Sequence, residues 1–177
     1  MTKQSTSVIT ASIAVFRSQK DLAEGAIRQT SDEDLRRALD PHTNSIAVIM
    51  KHMGGNMLSR WTDFLTSDGE KPDRHRDGEF IDDFADRAEI LAYWEKGWSR
   101  LFETMNALSD ADLLKTITIR GEPHHVLDAI QRQISHYGYH VGQIVLIARH
   151  LKGDGDWKVL TIPRGGSEQF NRNVRGA

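Results

Sequence analysis

Two histidines four residues apart, in His136-Tyr-Gly-Tyr-His140, sit inside a long apolar run from Val126 to Leu151. At about 3.6 residues per turn this spacing stacks both imidazoles on one helix face, close enough to converge on one ion. A third ligand has to come from elsewhere in the chain. His52, on a second apolar helical run from Ile46 to Leu65, is the candidate. Three neutral imidazoles leave a divalent cation its full charge and at least one open position, as in catalytic sites, whereas structural zinc is usually closed by four protein ligands. An open position accepts water or a thiol, and the cation makes either more acidic, so hydrolysis and thiol transfer are both available. Imidazole suits zinc, nickel, copper and iron alike.

Plainer readings stand beside these. A histidine pair at this spacing is also what a packed, hydrogen-bonded pair looks like. Asn56, one turn after His52, and Gln143, about one turn after His140, are candidates to orient a ligand or touch a substrate, though the simpler reading of each is an ordinary polar helix residue. His42, His75, His124, His125 and His150 fall in loops or at helix ends and read as solvated, with His150 favourably placed near a helix C-terminus. No HExxH, P-loop, GxSxG or dinucleotide fingerprint is present, and no residue stands out as a general base.

Composition narrows the setting. With 177 residues and 38% apolar content, the chain is expected to form one domain over residues 1–177 around one core. The net charge of −2, with acids and bases interspersed, offers no electrostatic footprint for nucleic acid or an anionic membrane. There is no cysteine, so disulfides and thiolate ligands are excluded and any metal is held by nitrogen or oxygen. A polar start, Met1 to Ser7, and interruptions at Ser12, Arg17 and Lys20 fit neither a signal peptide nor a spanning helix, so the expected compartment is the cytoplasm.

The elements that must position the histidines follow from periodicity. Val8, Ile9, Ile13, Phe16, Leu22 and Ala26 predict a first helix over Ser7 to Gln29. Ser31 with Asp34 resembles a capping box and predicts a short helix through Ala38, ended by Asp40-Pro41. A second long helix is expected from Thr43 or Asn44, with Ile46, Ile49, Met53, Met57, Trp61 and Phe64 on one stripe and His52 at its edge. Gly54-Gly55 in its middle costs about 1 kcal/mol per residue relative to alanine, which implies crowding by a neighbouring helix or a ligand. Thr66 to Gly78 is breaker-rich and reads as a long loop. A third long helix is expected over Asp83 to Leu108. Ser109-Asp-Ala-Asp-Leu113 after it echoes Ser31-Asp-Glu-Asp-Leu35 after the first, which suggests two copies of one helical unit and a four-helix bundle.

Thr116 to Ile119 reads as a short extended segment before Gly121, and Glu122-Pro123 as the opening of the fourth helix, with proline in its first turn. On that helix Ile130, Ile134, Tyr137, Val141, Ile144 and Ala148 form one stripe, and Ala129, Gln133, His136, His140 and Ile147 a second, displaced by roughly 100°. Gly153-Asp-Gly155 ends it. The tail from Trp157 to Ala177, with Val159 to Ile162 extended, is expected to pack on the bundle or on a second subunit.

One histidine within Ser45-Ile-Ala-Val-Ile-Met-Lys-His52-Met, followed by His136-Tyr-Gly-Tyr-His140-Val-Gly-Gln143, resembles the DinB/YfiT-like superfamily. The likeness is greatest to a bacterial branch carrying a segment like Lys51 to Pro72, and it covers nearly the whole chain. It implies an all-α, up-down-down-up four-helix bundle with short accessory helices and an extended C-terminal tail. It further implies a homodimer and a divalent metal (zinc, nickel or iron) held by His52, His136 and His140. The activity implied is thiol-dependent S-transfer, with a low-molecular-weight thiol as cosubstrate, or hydrolysis of a small molecule. The alternative is a non-catalytic dimeric stress-response or metal-binding bundle.

Overall fold

Side-chain caps decide where the helices begin. In the computed structural model, which describes residues 7–153 and 156–175, Ser7 caps α1 (Val8–Ile27), Ser31 caps α2 (Asp32–Arg36), and Ser45 caps α3 (Ile46–Trp61). In each case the serine Oγ accepts an otherwise unpaired backbone N–H of the first turn. Asp86 does the same for α4 (Arg87–Ala107), and α5 (Val126–Lys152) carries a capping box between His125 and Asp128. The cap of α3 is therefore Ser45, whose hydroxyl reaches Val48 N, in place of the expected Thr43 or Asn44. Helix α4 starts at Arg87, later than the expected Asp83, because the Asp86 side chain takes the N–H of Glu89.

Helix α3 packs on α4, α1 packs on α5, and α3 also touches α5. Their buried faces share Phe16, Trp61, Trp94, Trp98 and Tyr137, all nearly or fully inaccessible. The first expected stripe of α3 lies in this core, as do Leu35 and Leu113, the leucines of the two echoed segments. The echo is partial in conformation: Ser31 opens an α-helical turn, whereas Ser109 opens a 3-10 turn over Asp110–Asp112. Asp110 also reaches across 102 and 101 positions to accept from Val8 N and Ile9 N at 3.0 Å each, placing a carboxylate on the positive end of α1.

The fourth long helix does not open at Glu122-Pro123. Residues Glu122–His125 form β2, paired antiparallel with β1 (Thr116–Ile119) in a hairpin, and α5 starts only at Val126. Arg120 and Gly121 both have positive φ, +57° and +78°, which is the two-residue turn that suits the twist of a hairpin. The alternating Thr116–Ile119 segment thereby claims the next four residues as its partner, and Pro123 is tolerated because a two-stranded sheet is all edge. The C-terminal tail is likewise not wholly extended: Ser167–Arg175 forms α6, and Val159 to Ile162 pairs with no strand. The expected stop of α5 is met at Gly153, with φ +72°; residues 154, 155, 176 and 177 and residues 1–6 lie outside the described residues. No helix among the described residues is long and apolar enough to cross a membrane.

Candidate metal centre

Two local devices bring the triad together. His52 stands midway along α3, where the Gly54-Gly55 step lets two other elements close on that helix. Gly54 meets α4 at Gly97, where a Cβ on residue 97 would stand 3.0 Å from Gly54 Cα, and Gly55 admits the side chain of Glu79. Glu79 and Phe80 come from a 3-10 turn, Asp77–Phe80, at the end of the breaker-rich loop. Phe80 stacks on the His52 ring with centroids 4.8 Å apart, and Glu79 Oε2 lies 2.9 Å from His52 Nδ1. His136 and His140 share one face of α5, with ring centroids 4.8 Å apart.

The proton bookkeeping at the three rings is the same. A carboxylate only accepts, so His52 Nδ1–H donates to Glu79. His136 Nδ1 faces Gln133 Oε1 at 3.2 Å, and His140 Nδ1 faces Gln143 Oε1 at 2.8 Å. With every Nδ1 proton directed outward, each Nε2 keeps its lone pair on the inner side. His52 Nε2 and His136 Nε2 stand 3.4 Å apart, His140 Nε2 is buried without any hydrogen-bond partner, and a ligand atom from each ring lies within 4.8 Å of the others. Facing lone pairs and an orphaned buried nitrogen are unfavourable unless a cation lies between them. Two imidazole nitrogens on one tetrahedral zinc stand about 3.4 Å apart, given bonds of about 2.0–2.1 Å. The residues therefore fit a divalent metal.

Burial holds the His136 and His140 rings neutral, the form in which imidazole binds metal. It pushes His136 down to about 3, with the neighbouring His140 and His52 adding to the effect, and His140 down to about 4. Glu79 is ionised in spite of its burial: desolvation alone would raise its pKa, but the His52 N–H and the Arg74 guanidinium together hold it below the usual carboxylate range. Arg74 grips Glu79 with two parallel bonds, Nε to Oε1 at 2.7 Å and Nη2 to Oε2 at 2.8 Å, and reaches Glu70 at 2.9 Å. The result is an Arg74–Glu79–His52 chain of the kind that orients metal-ligating histidines.

The sequence reading did not single out Glu79, Arg74 or Gln133. Gln133 was legible in principle, since it precedes His136 by three residues as Gln143 follows His140 by three, and both spacings share the histidine face. Glu79 and Arg74 lie in a segment with no periodicity, so no local signal marks them. Gln143 touches His140, whereas Asn56 Oδ1 accepts from the Tyr137 hydroxyl at 2.9 Å and lines the cavity beside His52 and His136. His42, His75, His124 and His150 stand apart from the centre on partly or fully exposed positions, and His125 reaches Leu114 O.

Two of the triad, His52 and His136, open on a cavity of about 200 Å³ whose wall also includes Tyr139. A wider groove of about 640 Å³ lies beyond Gly55 and Glu79, lined by side chains of both signs such as Lys51, Asp83 and Lys96, and no triad histidine reaches it. The smaller cavity is therefore the one with chemistry.

No curated protein matches the chain. The model of a family described as Protein of unknown function (DUF1572) matches residues 3–166, and the chain belongs to that family.

Proposed function

We propose that this DUF1572 chain is a divalent-metal-dependent enzyme, a DinB/YfiT-like up-down-down-up bundle that transfers a low-molecular-weight thiol to a small electrophile. One observation carries it: three inward Nε2 lone pairs, each with its Nδ1 proton committed elsewhere, converge on one another, and two of the rings, His52 and His136, line a small cavity. His52, His136 and His140 would hold the ion, and Glu79, Gln133 and Gln143 would orient them. A divalent cation there supplies Lewis acidity toward a bound thiol or water molecule.

The chain's own residues favour thiol transfer over hydrolysis. Among the described residues lining the cavity there is no carboxylate, and Tyr139 keeps its proton, since partial burial raises its phenol pKa. With no general base, the nucleophile must be one that ionises without help, and a thiol meets that condition better than water does. The sulfur forms a new C–S bond, the leaving group departs with its electron pair, and the thiol proton passes to solvent. Asn56, held by Tyr137, offers its remaining amide capacity to a substrate.

The test is elemental analysis of protein purified without chelators or a histidine tag, alongside the His136→Ala/His140→Ala double variant. About one ion per chain in the wild type, lost from a variant that stays folded, supports the centre and directs a screen of thiols with activated halides. No ion after incubation with zinc, nickel, iron(II) or manganese overturns it.

A further inference from the structure

The cavity above the histidines has an electrostatic character that the chain as a whole lacks. Five arginines line it, Arg60, Arg74, Arg76, Arg120 and Arg132, and no acid does. They come from α3, the long loop, the hairpin turn and α5. Arg74 is neutralised by Glu79 and Glu70, and Arg120 lies 3.6 Å from Glu70. Arg76 sits over the Phe80 ring. Arg60 and Arg132 have no ion-pair partner among the described residues.

Arg60 is the unusual one. It is only 3% exposed, and its Nε and Nη1 are buried with no acceptor. Its place is built: Gly69, tied to the hairpin by its N–H to Thr118 O at 2.8 Å, would put a Cβ 2.6 Å from Arg60 Nη1. A guanidinium stays charged when buried, and an unpaired buried charge is costly unless a counter-charge arrives. Three neutral imidazoles bring none, and a divalent cation would add to the excess. The missing partner is therefore an anion supplied from outside, small enough for about 200 Å³. Planar or tetrahedral oxyanions match the guanidinium fork.

We infer that this cavity seats an oxyanion of the substrate or cosubstrate, a carboxylate or a phosphate, on Arg60 and Arg132 beside the three histidines. Arg60 forms the floor and Arg132, exposed on α5, the mouth. The proposal deepens the metal-enzyme reading and names its substrate class: a small anionic molecule whose reactive atom lies next to its charged group.

The experiment is calorimetric titration of the metal-loaded protein at low salt with inorganic phosphate and, separately, with succinate. At least one probe is expected to bind at one site per chain, and the tighter of the two identifies the class. Arg132→Gln, on the surface, should weaken it by about fivefold, and Arg60→Met by about tenfold or more. In anion-free buffer Arg60→Met should melt higher than the wild type, because it removes a buried charge that has no partner. Binding of neither probe overturns the seat, as does binding that both variants leave unchanged. Elemental analysis of each protein separates the two readings. Arginine-dependent anion binding in a chain that takes up no metal supports the seat and fails the metal centre. Binding that vanishes with the metal but ignores both arginines overturns the seat and leaves the centre standing.

Discussion

Gly55 and Glu79 occupy the same space: a Cβ on residue 55 would lie 2.7 Å from the Glu79 carboxyl carbon. The carboxylate that orients His52 can reach it only because residue 55 has no side chain. Gly55→Ala is thus expected to displace Glu79 and lower metal affinity by about tenfold, read by competition with a chelator. Gly54→Ala meets the Tyr93 ring instead, at 2.8 Å, and should lose stability while retaining metal. Equal metal affinity in Gly55→Ala and the wild type would refute the assignment of Glu79.

Glu79→Gln separates orientation from stability. The amide keeps the shape but gives up the charge that Arg74 and His52 share, so metal affinity should fall by about 10–100-fold. Stability should fall by about 3 kcal/mol, limited because Glu70 still pairs Arg74 at 2.9 Å. Adding Arg74→Met should recover part of the stability and none of the affinity. Recovery of both in chelator competition and urea unfolding would show that Glu79 acts only through Arg74.

The metal-free protein should lose stability as pH falls. An unfolded histidine titrates near 6.5, whereas burial sets His136 at about 3 and His140 at about 4 in the folded chain. Between those limits the unfolded state binds more protons, so the contribution is whole above about 6.5 and drains away toward pH 4 and below. Glu79, held below its ordinary range, acts in the same direction at the acid end. Urea midpoints should hold from pH 7.5 to about 6.5 and then fall toward pH 4.5, and fall more gently in His136→Gln/His140→Gln. A flat wild-type profile would contradict the burial of neutral rings.

Tyr137→Phe tests the core beneath the site. The buried hydroxyl accepts from Trp61 Nε1 at 3.1 Å and donates to Asn56 Oδ1 at 2.9 Å, so its loss orphans a donor and an acceptor together. Unfolding should show a loss of about 2 kcal/mol, with metal content unchanged. A change in metal content with no loss of stability would place Tyr137 in the centre itself.

Much of this was readable from local pattern. The helical patterns through Val8 to Ala26, Ile46 to Phe64, Asp83 to Leu108 and Ile130 to Ala148 are properties of short windows, and four real helices follow them. The glycine pair announced a close approach that proved to be α4 on one side and Glu79 on the other. Boundaries were harder. Ser45 in place of Thr43 or Asn44, and Asp86 beyond Asp83, won because each had a backbone N–H in reach, a matter of geometry among several eligible residues. Pro123 reads as a helix opener until a partner strand is known to claim it.

The sequence by itself determined the helices and the His136/His140 face, because a 3.6-residue period converts spacing directly into orientation, and it nominated His52 through its place on a second apolar helix. Only the tertiary structure decided that Glu79, 27 positions beyond His52, turns its carboxylate onto that ring, and that arginines from four segments line the neighbouring cavity, whose lining includes no acid. The reason is physical: the loop from Thr66 to Gly78 carries no repeat that encodes direction. Its residues are placed by the stacking of Phe80 on His52, the room left at Gly55 and Gly69, and the hydrogen bonds from Arg74 to Glu79 and from Gly69 to Thr118.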